Sequence, residues 1–322
     1  TGYVQHPNFG AILLAGLGCE VMTLSALVGD RKISTNGALR YMTIQNAGGT
    51  RKTVDLGVAM VRELATISNE TKRTATPASE LVIGMQCGGS DGYSGITANP
   101  VLGLASDLLV RHGGTTILSE TSEIYGAEHL LTRRAVTPEV GEMLIERVRW
   151  WEDYCARNGG EMDNNPSPGN KAGGLTTILE KSLGAVAKAG SAQLSGVYKY
   201  AEPIDKRGLV FMDSPGYDPC SVTGQVASGA NLIVFTTGRG SVSGYKPSPC
   251  IKIASNSEMY ARLSEDMDLN CGEIITGGVS LKDKSEELFK IILNIASGTP
   301  SKSEAQGFGG VEFVPWKIGA VM

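Results

Sequence analysis

The sequence has no run of the 18–20 apolar residues that a membrane-spanning helix requires, and no charged-then-apolar amino end of the secretory type. It also lacks any block of Lys or Arg. Its 29 basic and 33 acidic residues are interspersed, for a net charge of −4, which gives no electrostatic footprint for nucleic acid or a membrane surface. No C-x-x-C pair occurs among the six cysteines (Cys19, Cys87, Cys155, Cys220, Cys250 and Cys271), so reduced thiols in a cytoplasmic protein are expected in place of a disulfide framework. Aromatic residues are scarce at 6%, against 42 glycines that fit tight turns and close backbone approaches. The first residue is not Met and the opening segment reads as the middle of a folded unit, so a preceding amino-terminal portion is expected.

Two nucleotide signatures are absent as well. Gly16-Leu17-Gly18-Cys19-Glu20 begins like a dinucleotide fingerprint, but Val21 stands where the third glycine belongs, and no strand with an acidic end follows at the usual distance. The loop containing Lys171 lacks the glycine–lysine–serine/threonine spacing of a P-loop.

Six apolar runs of strand length are present, each ending in a polar or glycine-rich turn: Ala11–Ala15, Leu81–Met85, Thr115–Leu118, Leu209–Met212, Leu232–Phe235 and Ile251–Ala254. Helical patterns alternate with them over Thr53–Ile67, Pro100–Arg111, Thr137 to Asn158, Gly174–Lys188 and Ser285–Ala296. The alternation predicts an α/β fold, a mostly parallel Rossmann-like sheet with helices on both faces. Residues 1–160 and 161–322 form either two halves or one continuous sheet, and the apolar tail Gly307–Met322 is expected to dock on the body. Ligands of open α/β sheets bind outside the carboxyl ends of the strands, so reactive turns gathered there predict a shared site.

The turns carry the candidate chemistry. In Gln86-Cys87-Gly88-Gly89-Ser90-Asp91, Cys87 and Asp91 are candidate metal ligands and Ser90 a hydrogen-bond partner for a carboxylate or hydroxyl. Ser119-Glu120-Thr121-Ser122-Glu123 and the nearby Glu128-His129 form a hard-metal or general-base constellation in which Glu120, at the strand end, is best placed. The same acids would also simply solvate a helix start. Asn164, Asn165 and Lys171 belong to a glycine-rich loop before a helix, suited to a small carboxylate. Arg239 lies between glycines, where it could fork a carboxylate, while Thr236, Thr237 and Ser241 could read hydroxyls. Ordinary turn chemistry is the competing account of each.

Taken together, Gly16–Glu20, Gln86–Gly95, Ser119–His129, Gly159–Gly174, Met212–Cys220, Phe235–Ser241 and the terminal Phe313-Val314-Pro315-Trp316-Lys317-Ile318-Gly319 resemble the altronate/galactarate dehydratase family of sugar-acid dehydratases, along nearly the whole chain. The resemblance implies a cytoplasmic, divalent-metal-dependent lyase that converts a sugar acid such as D-altronate to its 2-keto-3-deoxy product, and a chain that is the carboxyl-terminal portion of a longer enzyme. On that reading Glu120, Lys171 and Asp91 are the catalytic candidates. Ser90, Asn164, Asn165, Lys171, Thr237 and Arg239 bind substrate, and Cys19, Cys87 and Glu120 ligate the metal, with Glu20 in reserve. Sulfur among oxygen ligands favours Fe(II), with Mn(II) or Mg(II) as alternatives. Galactarate dehydration, sulfolactate sulfo-lyase activity and a noncatalytic sugar-acid-binding fragment stay open. A homo-oligomer, a dimer, is compatible with the apolar tail and Trp150-Trp151.

Overall fold

In the computed structural model, residues 1–30, 38–87, 91–163 and 166–318 are described. Ser90, Asn164 and Asn165, three expected substrate-binding residues, lie outside them. The chain divides into two compact units, Thr1–Thr76 and Pro77–Met322.

The first unit pairs β1 (Ile12–Gly16) with β2 (Leu39–Thr43) in parallel, from Ile12 opposite Leu39 to Gly16 opposite Thr43. Its long helix spans Thr50–Asn69 and starts after Gly48 and Gly49, both at positive φ, which turn the chain out of the preceding single helical turn. Leu64 is buried, whereas Val54, Val58 and Val61 of the same apolar stripe are exposed.

The second unit is built on a seven-stranded sheet: β3 (Val82–Cys87), β4 (Thr115–Leu118), β5 (Leu194–Tyr198), β6 (Gly208–Met212), β7 (Leu232–Thr237), β8 (Cys250–Ala254) and β9 (Leu269–Asn270). Their order is β5-β6-β4-β3-β7-β8-β9, and every pair is parallel. The architecture is the expected α/β sheet flanked by helices. Strand β4, from before residue 160, sits between β6 and β3, so the two sequence halves share one sheet. The six apolar runs coincide with strands β1, β3, β4, β6, β7 and β8; the five in the seven-stranded sheet show the uninterrupted pattern of parallel strands covered on both faces, whereas β1 is only partly buried. Strands β2, β5 and β9 carried too little of that signal to be read in advance.

Helices begin and end where local chemistry allows. Pro100 sits in the first turn of Ala98–Arg111, and Gly113 at φ 82 follows its end. Pro138 opens Pro138–Arg157 behind Thr137. Ile178–Val186 is capped by the Thr177 side chain, which accepts from Glu180 N, so the helix starts later than Gly174. Leu281–Ala296 is capped by Ser280 in the same manner. The core joins Ile83 and Met85 of β3 to Val101, Leu102 and Leu109 of one helix and Leu288 and Ile292 of another. Each such side chain contributes about 1.5–3 kcal/mol by leaving water. The order changes direction about β3: the chain runs outward to β4 and returns later to β7 on the other side. In open sheets a crevice for ligand forms at such a reversal.

Candidate active site

The carboxyl ends of β3, β4 and β6 deliver a buried acid–base cluster. Gln86, the fifth residue of β3, donates from Nε2 to Glu120 Oε1 at 2.5 Å and to Asp218 Oδ1 at 3.1 Å. Glu120 Oε2 accepts from Cys87 N at 3.3 Å and lies 3.4 Å from Lys188 Nζ. Glu120 and Lys188 are 0% and 1% exposed. A second buried pair, Lys181 Nζ to Glu123 Oε1 at 2.6 Å, stands beside the first. Both lysines come from the segment after the Asn/Gly loop, Lys181 on the Ile178–Val186 helix and Lys188 in the turn that follows it. Asp218 opens the Asp218–Ala227 helix and is half-buried, the most accessible of the cluster's acids.

Glu120 occupies the left-handed region at φ 71, ψ 70, which costs a non-glycine residue about 1–3 kcal/mol and therefore needs external support. The turn after β6 supplies it. Glu120 N donates to Ser214 Oγ at 3.0 Å, and Thr121 N donates to Ser214 O at 2.9 Å. Asp213 Oδ1 accepts Thr121 Oγ1 at 2.5 Å and the Trp151 indole N–H at 2.7 Å.

Burial shifts these groups first. It pushes the Glu120 carboxyl well above the usual range, reinforced by the Glu123 charge and opposed by Lys188. Asp218 rises to about 6 through burial and the Glu123 charge, with the Gln86 hydrogen bond pulling the other way. The Cys87 thiol rises to about 11 because its thiolate would be desolvated. Burial opposes the charge on both lysines, but Cys87 and the two glutamates hold Lys188 above its ordinary value, and Glu123 foremost does so for Lys181. A cavity of about 250 Å³ opens beside the cluster, lined by Asp91, Ser94, Asn99, Leu175, Lys181 and Leu183.

The remaining expected residues fall in different settings. Asp91 is buried, and both its oxygens are engaged: Oδ1 by Ser94 N, Ser94 Oγ and Ser255 Oγ, and Oδ2 by Asn256 Nδ2. It ties the turn after β3 to the turn after β8. Thr237 is buried and its hydroxyl accepts from Arg239 N and Gly240 N, closing the turn after β7. Arg239 and Lys171 are exposed. Lys171 lies in a single helical turn, Pro168–Ala172, whose Ser167 and Asn170 form a reciprocal cap, and Gly173 O accepts from Gly92 N at 2.9 Å. His129 is exposed. Cys19 belongs to the first unit and is exposed. Beside it Glu20 Oε2 accepts from Gly18 N, and backbone N–H groups hold that carboxyl below the usual range. None of the six cysteines forms a disulfide.

Two features were missed from sequence. Gln86 and Asp218 read only as the ends of turns, and Lys181 and Lys188 only as part of the expected Gly174–Lys188 helix. Their spacing of seven residues, two helical turns, was the available signal that both reach one side.

The donors of the second unit do not fit a divalent ion. Among the described residues no three His, Cys, Asp or Glu side chains gather as ligands. Glu120 already accepts from Gln86, Cys87 N and Lys188, and two ammonium groups stand against the carboxylates where a dication would have to sit. No step is therefore routed through a metal.

The fold and the cluster define an open-sheet α/β protein with opposed acids and ion-paired lysines at the edge where such sheets take ligands. Residues 78–321 match the D-galactarate/Altronate dehydratase C-terminal family, and residues 1–69 match the second domain of D-galactarate dehydratase/Altronate hydrolase. The chain belongs to this family. It is 41% identical over 304 residues to galactarate dehydratase (L-threo-forming) of Escherichia coli (strain K12), covering 91% of this chain and 57% of that protein. It is 36% identical to altronate dehydratase of Bacillus subtilis (strain 168), covering 95% and 61%, and 31% identical to (2R)-sulfolactate sulfo-lyase subunit beta of Chromohalobacter salexigens, covering 94% and 77%. The chain thus spans about 60% of the length of these two dehydratases. Among the described residues no helix is long and apolar enough to cross a membrane.

Proposed function

We propose that this chain carries acid–base residues of a hydro-lyase that removes water from a sugar acid, giving a 2-keto-3-deoxy acid. The observation that carries the reading is the Gln86-bridged pair, Glu120 and Asp218, whose environments separate their proton affinities. Two carboxyls pushed apart in this way divide the acid and base roles between them. Asp218, half-buried and ionised above about pH 6, takes the C2 proton. Glu120, which burial keeps protonated to higher pH, donates to the departing C3 hydroxyl.

Abstraction next to a carboxylate builds negative charge on the acid's oxygens. Lys181 borders the 250 Å³ cavity, and its ammonium stabilises that charge electrostatically. Exposed Lys171 and Arg239 recruit the anionic substrate. The relatives' names favour the galactarate and altronate class. The 41% identity to a galactarate dehydratase against 36% to altronate dehydratases gives no preference for altronate.

The test is turnover of galactarate, D-altronate and sulfolactate by the intact protein, with Fe(II), Mn(II) or Mg(II) supplied, following 2-keto acid or sulfite. Glu120→Gln, which keeps the size and loses the transferable proton, is expected to lower kcat by roughly 10²–10⁴-fold. A Glu120→Gln protein with wild-type kcat would overturn the assignment.

A further inference from the structure

We propose that Trp316, in the carboxyl-terminal segment, is a positioning residue that holds both acid–base carboxyls in register through two separate hydrogen-bonded arms. The inference rests on the roles assigned above to Glu120 and Asp218.

The first arm runs to Glu120. The Trp316 ring stacks on Trp151 with centroids 5.1 Å apart and planes 2° from parallel. Trp151, buried on the Pro138–Arg157 helix, donates its indole N–H to Asp213 Oδ1, and the same oxygen accepts Thr121 Oγ1. Thr121 follows Glu120, whose left-handed backbone is pinned by Ser214. An indole fixed face-on by a second ring presents its N–H in one direction, and that direction fixes Asp213.

The second arm runs to Asp218. Trp316 N donates to Tyr200 Oη at 3.2 Å, and Tyr200 donates in turn to Cys220 O at 2.7 Å, in the first turn of the helix that Asp218 opens. Val314 N donates to Thr223 Oγ1 of the same helix at 3.0 Å. Trp150 and Tyr200 meet Trp316 edge-on at 5.6 and 5.5 Å and complete its seat. Trp150, Trp151 and Trp316 thus pack on one another. One side chain with its backbone N–H touches neither carboxyl yet constrains the elements that carry both. Misplacing a reacting group by about 1 Å costs about 100-fold in rate, so this seat reports in kcat.

Trp316→Ala, Trp316→Phe and Trp151→Phe are made in the intact protein, with Glu120→Gln alongside. Trp151→Phe keeps a stacking ring and deletes the N–H together with the five-membered ring that carries it. Circular dichroism and thermal unfolding establish folding, and kcat, KM and the pH profile of kcat/KM are measured. The expected result is a 10–100-fold loss of kcat for Trp316→Ala and for Trp151→Phe, with KM within 3-fold. Trp316→Phe should recover to within 5-fold of wild type, and the acid limb of the profile should move by at least half a pH unit in Trp316→Ala. If Trp316→Ala does not fold, Trp151→Phe decides alone. Folded variants with kcat within 2-fold of wild type overturn the proposal. If Glu120→Gln also keeps its turnover, the underlying assignment fails as well, so the two failures are told apart.

Discussion

Replacing Lys181 with Met removes the charge from a buried ion pair while keeping nearly the same chain length and volume. Lys181 Nζ lies 2.6 Å from Glu123 Oε1, with side chains 6% and 4% exposed. At an effective dielectric of about 20 that separation corresponds to an attraction of about 6 kcal/mol, much of it offset by the cost of drying two ions. The variant loses the attraction while Glu123 stays buried, and stranded buried charges of this kind cost about 3–5 kcal/mol. At about 2–4 °C per kcal/mol for a unit of this size, the melting temperature should fall by roughly 6–20 °C. Because Lys181 is held above its ordinary value in the fold, its contribution is fully present at neutral pH and is lost only as pH rises through the folded value, above that of a free lysine. The deficit should therefore be constant from pH 7 to pH 9 and shrink only in stronger alkali. Thermal unfolding of Lys181→Met, Glu123→Gln and the double variant measures this, and the double variant should lose less than the two singles added. A Lys181→Met loss under about 1 kcal/mol, or strictly additive losses, would refute the reasoning.

Two further outcomes are expected. The acid limb of kcat/KM should fall near pH 6 as Asp218 takes up a proton, and Asp218→Asn should lower kcat/KM at least 100-fold and erase that limb; an unchanged limb in the variant assigns it to another group. Iodoacetamide at pH 8 should alkylate exposed Cys19 in the native protein at least 100-fold faster than buried Cys87, whose thiol is pushed up to about 11, as read by peptide mass spectrometry. Equal labelling would show that Cys87 is open to solvent.

What the sequence determined by itself was local. Uninterrupted apolar runs placed six strands, proline and glycine marked helix ends, and the strand-end rule put Glu120 and the Asp213–Asp218 turn at the correct edge of the sheet. The tertiary structure decided which of those turns meet. The order β5-β6-β4-β3-β7-β8-β9 sets the turns of distant strands side by side, and periodicity carries no information about strand order. It therefore gave Asp91 to Ser255 and Asn256, as a tie between turns, and brought Asp218 to Gln86. Lys181 and Lys188 became members of the cluster for the same reason. An ammonium group on a helix looks solvated in sequence, and only a carboxylate supplied by another element makes its burial tolerable.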